Sequence, residues 1–522
     1  MALGGKRLRA QWIVPFFLLA SLSAARAGDD VRLVAAVQNS DEQAVRALLK
    51  EGVDVNARQP DGATALAWAA NRDDLQTADL LIAAGANVNA ANDYGVTPLS
   101  LACLNGSAAM VEKLLKARAN PDSALLSGET ALMTCARTGN VNAVKSLIAR
   151  AANVNAHESR NGQTALMWAV EQEHLEAAQA LVEHGADVNA RSEGGFTALL
   201  FAAQQGDLEM VKMLLAVGAN VNEAMPPPTY TDAYDTFALK IHRTLTRPNE
   251  PPGGTTPLLM AAASGHEAVA IYLLEHGADP NAADVNGTTP LHYAALKGLV
   301  MLVRDQQAVK IGDVVPRQNM IELTKALLAH GANPNARLTN NTATSLTFSL
   351  AGATPFMVAT QSLDIGLLRL LLAHGADPFI TTTEGTTALM LASGCGTRTD
   401  RTPEEVKNGL EVAKLLVELG ADVNAVGAYK WTALHGTAYS GSDLIAQFLV
   451  EKGAKIDAKD LWEETPLAIA QGFTSALLDD FNKKTQGPHP NVEAVLLKLG
   501  APPWVPPVRP DAAPPVKTSQ SN

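Results

Sequence analysis

Histidines are the side chains of this sequence best suited to proton transfer or metal binding, and most of them occupy recurring positions. Four share the phrase x-His-Gly-Ala near the end of an expected helix: His184, His276, His330 and His374. An imidazole there can hydrogen-bond the free carbonyls of the last turn, and a positive charge suits the helix dipole. The shared position predicts a structural role for all four.

His292 and His435 follow Thr-Pro-Leu or Thr-Ala-Leu in a second shared position, which also favours structure over chemistry. The histidines that fit no recurring position are His157, His174, His242 and His489. No two of them have the spacing of metal ligands, so the sequence predicts no metal site.

Known catalytic motifs are missing from the sequence. His266 and Glu267 begin like the zinc-protease pattern H-E-x-x-H, but the second histidine is absent. The chain has no G-x-x-x-x-G-K-[ST] phosphate loop, no G-x-G-x-x-G after a strand and no G-x-S-x-G elbow. We therefore predict a protein that is not an enzyme, with no catalytic residues, no cofactor and no metal.

An aromatic stripe is the remaining candidate for ligand binding. Its members share one position on successive expected helices: Trp68, Trp168, Phe201 and Tyr293. Leu101, Met260 and Leu391 fill the same position in other copies. Packing between helices is therefore the favoured interpretation over an aromatic ladder for a ligand.

Short helices in a recurring phrase must position all of these residues. The clearest copy is residues 254–281, GTTPLLMAAASGHEAVAIYLLEHGADPN. Thr256 can cap a helix that tolerates Pro257 in its first turn, and a second, leucine-bearing helix ends at Gly277. Because one such unit cannot bury its own apolar face, several must stack.

The phrase recurs at a nearly fixed period. Its other opening glycines are Gly62, Gly95, Gly128, Gly162, Gly195 and Gly287, with 33 residues between the first three and 34 to the next. With its T-P-L-H-x-A core, the phrase resembles the ankyrin repeat over roughly residues 29–502. The resemblance implies an all-α fold, an α-solenoid of about twelve stacked helix-turn-helix repeats with short β-hairpin tips. It also implies that His292 and His435 hydrogen-bond between hairpins.

Residues 1–27 have the pattern of an export signal peptide. Lys6, Arg7 and Arg9 precede an apolar run too short to span a bilayer comfortably, and Ala25-Arg26-Ala27 suits cleavage before Gly28. The expected product is an exported bacterial protein, periplasmic or secreted, with no transmembrane segment.

The remaining chain divides into four predicted segments. They are regular repeats with an N-terminal cap at 28–224, a Pro-bounded insertion at 225–252, repeats at 253–502 with insertions near 300–320, 338–349 and 394–408, and a Pro-rich disordered tail at 503–522. The insertions are either binding loops or tolerated surface additions.

Composition narrows the class of partner. A net charge of −12 argues against nucleic acid, which requires a clustered basic face. Cys103 and Cys135 lie in the alanine positions of consecutive inner helices, and Cys395 is distant from both. Buried thiols are favoured for Cys103 and Cys135, and a disulfide between their neighbouring repeats remains open.

The ankyrin resemblance implies a protein-binding scaffold that uses hairpin tips and the concave face of the inner helices. Candidate partner-binding residues at the tips are Asp93, Tyr94, Arg160, Tyr429, Lys430 and Trp462. Candidates on the inner face are Arg137, Glu171, Gln172, Gln204, Gln205, Lys297 and Tyr439. The expected partner is another protein, and a monomer is favoured.

Two alternatives remain open from the sequence. The first is a secreted effector that acts inside a host cell. The second is an enzyme with a site built by the insertions of the second half. Its candidate groups are Asp232, Asp235, His242, Arg304, Asp313, Glu404 and Glu405, whose spacing matches no catalytic pattern.

Overall fold

The described part of the chain is helical throughout. A computed structural model describes residues 30–227, 253–296, 320–339, 349–396, 400–473 and 488–505. These residues form 24 α-helices and, in place of strands, two isolated β-bridges, Arg58 with Thr64 and His157 with Thr164. The predicted all-α repeat fold is confirmed. The chain divides into two compact units, 1–126 and 127–522, which are described separately.

The helices come in twelve pairs, each with an inner helix followed by an outer helix. In the first unit, pairs 1 to 3 are α1 Arg32–Gln38 with α2 Glu42–Glu51, α3 Ala65–Asn71 with α4 Leu75–Ala83, and α5 Pro98–Leu104 with α6 Ala108–Lys116.

The second unit contains nine pairs. Pairs 4 to 6 are α7 Ala131–Thr138 with α8 Val141–Ile148, α9 Ala165–Glu171 with α10 Leu175–Glu183, and α11 Ala198–Gln205 with α12 Leu208–Ala216. Pairs 7 to 9 are α13 Pro257–Ser264 with α14 Glu267–Glu275, α15 Pro290–Ala295 with α16 Ile321–Ala329, and α17 Pro355–Gln361 with α18 Ile365–Ala373. Pairs 10 to 12 are α19 Ala388–Ala392 with α20 Pro403–Glu418, α21 Ala433–Ser440 with α22 Asp443–Glu451, and α23 Pro466–Ala470 with α24 Pro490–Lys498.

Threonine caps fix where the inner helices begin. The Thr256 hydroxyl accepts the N–H of Leu259 at 3.3 Å, with Pro257 at the first helical position. The same cap recurs at Thr64, Thr97, Thr130, Thr164, Thr197, Thr354, Thr387 and Thr465. The cap satisfies a backbone donor that the helix leaves free, and thus starts each inner helix at a defined residue.

Small residues let the inner helices stack. Within each unit, every inner helix packs on the inner helix of the next pair. The alanine pairs predicted to permit close approach are fully buried, as Ala202 and Ala261 illustrate. Leucines of the outer helices, such as Leu273, close the other side of this core. The core therefore continues from pair to pair within a unit.

Asparagines tie the loops after successive outer helices together. Asn189 donates its Nδ2 to the carbonyl of Gly218 at 3.4 Å, and its Oδ1 accepts the N–H of Asn220 at 3.0 Å. The same pair of hydrogen bonds is made by Asn56 and Asn89 in the first unit, and by Asn155, Asn222, Asn281, Asn335 and Asn424 in the second. We call this series the asparagine ladder.

Phe379 occupies the ladder position after α18, where an amide would face Gly420 and Asp422, and its ring is 52% exposed. Replacing Phe379 by asparagine should raise the free energy of unfolding by about 1 kcal/mol, since two new hydrogen bonds would form. Urea denaturation followed by circular dichroism measures the change. Phe379→Ala is the control that removes the ring without adding an amide, and equal stability of the two variants would contradict the prediction.

Two predicted insertions enlarge hairpins that lead into inner helices. At the 225–252 insertion, Met225 donates its N–H to Thr255 at 2.9 Å, and Gly254 donates to Met225 at 2.8 Å. At the 338–349 insertion, Leu338 exchanges the corresponding bonds with Ala353 and Gly352. The residues between these paired ends (228–252 and 340–348) lie outside the described part, as do the predicted signal peptide, nearly all of 300–320 and the tail beyond Val505.

The predicted insertion at 394–408 supplies the first turns of an outer helix, because its residues 403–408 are helical. The outer helix α20 begins at Pro403 and has 16 residues, against 9 in α22. Before it, the guanidinium of Arg401 donates to the carbonyls of Ala392 and Leu391 at the end of α19, and burial lowers its pKa to about 10. Arg401 therefore adds side-chain hydrogen bonds to the carbonyls at the C-terminal end of the short helix α19.

Candidate functional site

The four histidines of the His-Gly-Ala phrase have the structural role expected of them. The Nδ1 of His184 lies 2.8 Å from the carbonyl oxygen of Ala180, one turn earlier in the same helix. His276, His330 and His374 make the same contact at 2.8–2.9 Å. Each ring therefore satisfies a carbonyl at a helix end.

The two histidines of the T-x-L-H position join neighbouring hairpins, as predicted. In His435, Nδ1 accepts the N–H of Thr432 at 3.1 Å, and Nε2 lies 3.3 Å from the carbonyl of Glu464 in the next pair. His292 makes the equivalent contacts with Thr289 and Ala353. Burial lowers the pKa of each imidazole to about 4, so both rings are neutral at pH 7.

A third histidine position was missed by sequence reasoning. His174, His266 and His489 each lie directly before an outer helix. The Nε2 of His174 lies 3.1 Å from the carbonyl of Arg137, and that of His266 lies 3.0 Å from the carbonyl of Gln204. These rings lie against glycines that end an earlier inner helix, and His489 packs likewise on Gly441. The available signal was their common position before a helix.

Among the described residues, histidines, carboxyl groups and cysteines are the side chains that could bind a metal or undergo redox chemistry. Among them, no group of three or more His, Cys, Asp or Glu could hold a metal ion. The free thiol of Cys395 is buried, and burial raises its pKa to about 12, which keeps it protonated at neutral pH. Cys103 and Cys135 are fully buried, as their alanine positions predicted, but both are disulfide-bonded and not the free thiols that were favoured.

The groups of the alternative enzymatic site are mostly beyond what the structure describes. Asp232, Asp235, His242, Arg304 and Asp313 lie outside the described residues. Glu405 accepts the N–H of Thr402 at 2.8 Å and closes the cap of α20, while Glu404 is exposed in the same turn. The role of Glu405 is therefore explained by helix capping.

Backbone hydrogen bonds link the tips of the hairpins that lead into the inner helices. In the first unit, Asp93 donates its N–H to the carbonyl of Asp61 at 3.0 Å, and Leu126 donates to Tyr94 at 3.2 Å. In the second unit the donors and acceptors are Ser159 and Ser127, Glu193 and Asn161, Val285 and Gly253, Thr339 and Asn286, Thr383 and Ala351, and Leu461 and Tyr429. The tip backbone is thus held by its neighbours, and the tip side chains are not needed for these bonds.

Most of the tip residues proposed from sequence are exposed. Asp93 and Tyr94 are both exposed in the first unit, where the Tyr94 ring is 56% accessible. Arg160 is exposed in the second unit, where its backbone N–H is held by Glu158 at 2.6 Å. These positions combine a fixed backbone with accessible side chains.

The tips before α21 and α23 form an aromatic cluster. The rings of Tyr429 and Trp462 lie 5.5 Å apart between centroids, in a tilted arrangement. Lys430 beside them is exposed, Leu461 is 54% exposed and Trp462 is half-buried. We call Tyr429, Lys430, Leu461 and Trp462 the aromatic tip patch. It brings together three residues that were chosen from sequence as separate candidates.

On the inner face, Arg137 is held within the protein. Its guanidinium carbon lies 5.3 Å from the centroid of the Trp168 ring, and Nη2 lies 3.4 Å from Glu129. Trp168 is half-buried and donates its indole N–H to Gln163 at 3.1 Å. A partner that contacts Arg137 would meet a side chain whose position is already restricted.

The other inner-face candidates differ in accessibility. Gln172 is exposed, while Glu171, Gln204 and Gln205 are half-buried. Tyr439 departs from the expected open position: it is 8% exposed and its ring packs edge-on to Trp431 at 5.5 Å, within the core. Lys297 lies outside the described residues.

No described helix is a candidate for crossing a membrane. None of them combines the length and apolar composition that a bilayer span requires.

Family comparisons match most of the chain. A model described as "Ankyrin repeats (3 copies)" matches residues 33–124, 111–192, 132–225 and 236–310. A second model, "Ankyrin repeat", matches residues 286–338, 384–428 and 429–461.

Curated relatives share shorter stretches with this chain. The ARF GTPase-activating protein GIT1 of Homo sapiens is 50% identical over 48 residues, 9% of this chain and 6% of that protein. The Ankyrin repeat protein nuc-2 of Neurospora crassa is 30% identical over 210 residues, 39% of this chain and 19% of that protein. The Potassium channel AKT2/3 of Arabidopsis thaliana is 34% identical over 90 residues, 15% and 11% of the two chains. The chain spans less than a fifth of each relative.

Proposed function

Because the chain belongs to the ankyrin repeat family, we propose that it is a non-catalytic scaffold that binds another protein through its hairpin tips and inner-helix face. The observation that carries this proposal is the chain of backbone bonds between tips, for example Leu461 to Tyr429 at 2.8 Å. A tip held by its neighbour presents its side chains at little entropic cost on binding.

The accessible tip residues, two of them exposed and one half-buried, are of the types that anchor protein interfaces. Tyr94, Arg160 and Trp462 belong to the residue types enriched at binding hot spots. On the inner face, the fixed Arg137–Trp168 pair adds a charged and aromatic surface. The net charge of −12 mildly favours a basic partner.

Export to the periplasm or the outside of the cell is part of the proposal, and it depends on the sequence of residues 1–27. Fractionation of bacterial cells producing the full chain with a C-terminal tag is the test. We expect the tagged protein in the periplasm or medium, with a mass that lacks the first 27 residues. Uncleaved protein in the cytoplasm would contradict export.

Partner binding can be tested by comparing two full-length variants. The tip variant carries Tyr94→Ala, Arg160→Ala and Trp462→Ala. The control variant carries Arg46→Ala, Lys116→Ala and Lys414→Ala, whose side chains make exposed ion pairs on outer helices. Such pairs contribute little to stability, so the control variant should fold. Circular dichroism checks that the tip variant folds as well.

The wild-type chain and both variants would be used to capture proteins from an envelope extract, and the captured protein would be purified for titration. We expect the tip variant to bind it about tenfold or more weakly, since each anchor contributes more than about 1 kcal/mol. The control variant should bind like the wild type. Equal binding by all three chains would contradict a tip-mediated interface.

A further inference from the structure

Two large apolar side chains stand exposed on neighbouring hairpin tips of the first unit. The Tyr94 side chain is 56% exposed and that of Leu126 is 77% exposed. The backbones of the two tips are joined, because Leu126 donates its N–H to the carbonyl of Tyr94 at 3.2 Å. Isolated exposed apolar residues need no explanation, but neighbouring ones favour a surface that a partner covers.

The same row of tips carries two carboxylates. Asp93 directly precedes Tyr94, is exposed, and donates its N–H to the carbonyl of Asp61 on the preceding tip at 3.0 Å. One carboxylate oxygen of Asp61 accepts the N–H of Ala63 at 3.1 Å. Neither aspartate makes an ion pair with a residue that the structure describes. We call Asp61, Asp93, Tyr94 and Leu126 the acidic tip row.

Most cationic side chains of the first unit are engaged elsewhere. Arg58, on the hairpin that carries Asp61, donates to the carbonyl of Ala91 at 3.3 Å, and Arg72 donates to that of Gln38 at 2.8 Å. The ion pairs among the described residues of this unit join Arg32 to Asp30 and Glu51, Arg46 to Glu42, Lys113 to Asp79, and Lys116 to Glu112. The acidic tip row therefore keeps a negative charge that a cationic partner can neutralise.

The aromatic tip patch of the second unit has a different charge. Tyr429 adjoins the exposed Lys430, and Glu463, which follows Trp462, is already paired with Lys459 at 2.7 Å. The chain thus presents two apolar tip surfaces, of which only the one in the first unit is flanked by unpaired carboxylates. Surfaces that differ in charge select different partner segments.

We propose that the acidic tip row docks a basic segment of the partner protein, in which a bulky apolar side chain lies next to arginine or lysine. The apolar side chain covers Tyr94 and Leu126, and the cation neutralises Asp61 and Asp93. Charge complementarity decides the occupant, because an apolar and negative row admits a basic segment and repels an acidic one. This proposal rests on the scaffold function and names the class of sequence that the scaffold recognises.

Three fluorescein-labelled peptides serve as probes, titrated by anisotropy onto the full-length chain. They are the basic and apolar GSRLFRSG, the acidic and apolar GSELFESG, and the basic and polar GSRSSRSG. We expect the first to bind at least about tenfold more tightly than either of the others. Its advantage over the acidic peptide should shrink between about 50 mM and about 500 mM NaCl, since salt screens exposed charges.

Variants of the full-length chain locate the binding. Tyr94→Ala and Leu126→Ala should each weaken binding of GSRLFRSG about tenfold, because each removes part of the apolar contact. Asp61→Asn combined with Asp93→Asn should weaken it about fivefold and reduce its dependence on salt. Asparagine at position 61 keeps an oxygen for the N–H of Ala63, so the hairpin is preserved.

Matched controls come from the tips of the second unit. Trp462→Ala removes an aromatic ring from the aromatic tip patch, and Glu193→Gln removes the charge of an exposed tip carboxylate. Both should bind GSRLFRSG like the wild type. Circular dichroism of every variant checks that the fold is retained.

Several results would overturn the proposal. They are equal binding of the three peptides, no measurable binding of GSRLFRSG, and a loss of binding in Trp462→Ala that Tyr94→Ala does not share. A second copy of the chain on the row would also overturn it, and sedimentation velocity would then show a dimer that Tyr94→Ala dissociates.

The scaffold function fails in a different way. A partner that is captured from the envelope extract while the three peptides bind alike would contradict the acidic tip row alone. Peptide preferences as expected, with no partner captured, would count against the scaffold function alone.

Discussion

Replacing Gly206 by alanine should lower the free energy of unfolding by about 3–5 kcal/mol, far more than an ordinary glycine substitution. Gly206 ends α11 with a φ of +78°, which costs alanine about 1–2 kcal/mol. A β-carbon there would also lie 2.3 Å from Nδ1 of His266. The whole ring would have to move, and its contact with the carbonyl of Gln204 would be lost.

The same helix pair provides the control for this prediction. Gly218 has a φ of +93°, but no atom lies within 4 Å of the position its β-carbon would take. Gly218→Ala should therefore cost about 1–2 kcal/mol, the backbone strain alone. In a His266→Ala background, Gly206→Ala should cost a similar amount, because the clash is absent. Urea denaturation of the four chains supplies the cycle, and an undiminished cost in that background would exclude the clash.

The C-terminal half should lose stability between pH 7 and pH 4 because of His292 and His435. Burial lowers the pKa of both to about 4 from the ordinary 6.5. As the pH falls below 6.5, the unfolded chain binds protons that the folded chain does not, so folding weakens until the pH reaches the folded pKa. The loss is about 3 kcal/mol for each histidine, and it is absent above pH 7.

Glutamine variants test the acid dependence. His435→Gln and His292→Gln should each lower stability at pH 7.5 by about 1 kcal/mol, since hydrogen bonds are lost. Each should flatten the fall in stability between pH 7 and pH 4. Hydrogen exchange in α15 and α21 measures this locally, which suits a repeat array that can open in parts. An unchanged pH slope in the double variant would refute the assignment.

A neighbouring carboxyl group acts in the opposite direction. Burial raises the pKa of Asp284, so the folded state binds its proton more readily than the unfolded state as the pH falls. Protonation of Asp284 in acid therefore stabilises the folded state and offsets part of the loss of stability that His292 causes. In an Asp284→Asn chain, the net loss of stability between pH 7 and pH 4 should be larger because the offset is removed. Hydrogen exchange in α15 measures the difference.

Periodicity predicted the features that depend on residues a fixed distance apart. Thr256 as a cap and the contact from His184 to Ala180 follow from local positions within one repeat. The contact between His435 and Glu464 spans 29 residues, close to one repeat, so the ankyrin resemblance was enough to predict it. The first two features are determined by backbone geometry within one repeat, and the third by the fixed spacing of neighbouring repeats.

Features that depend on an insertion between repeats, or on which side chains pack together, could not be obtained from spacing. His266 bonds Gln204 across 62 residues, since an insertion lies between their repeats. The burial of Tyr439 depends on Trp431, whose indole is fixed by Asp460 from the next pair at 3.2 Å. The meeting of Tyr429 with Trp462 likewise depends on an unusual backbone at position 429. Sequence identified these side chains but not their contacts.

The gap at Phe379 has a mechanical consequence. Along the loops after the outer helices, each asparagine rung resists the sliding of one repeat past the next. Within the described part of the second unit, the rung is missing between pairs 9 and 10, where Phe379 stands, and between pairs 11 and 12, where Asp457 faces Pro502, which has no N–H. When the second unit is pulled from its ends, repeats should therefore separate first at these two junctions, and Phe379 should mark the boundary between the two longer blocks.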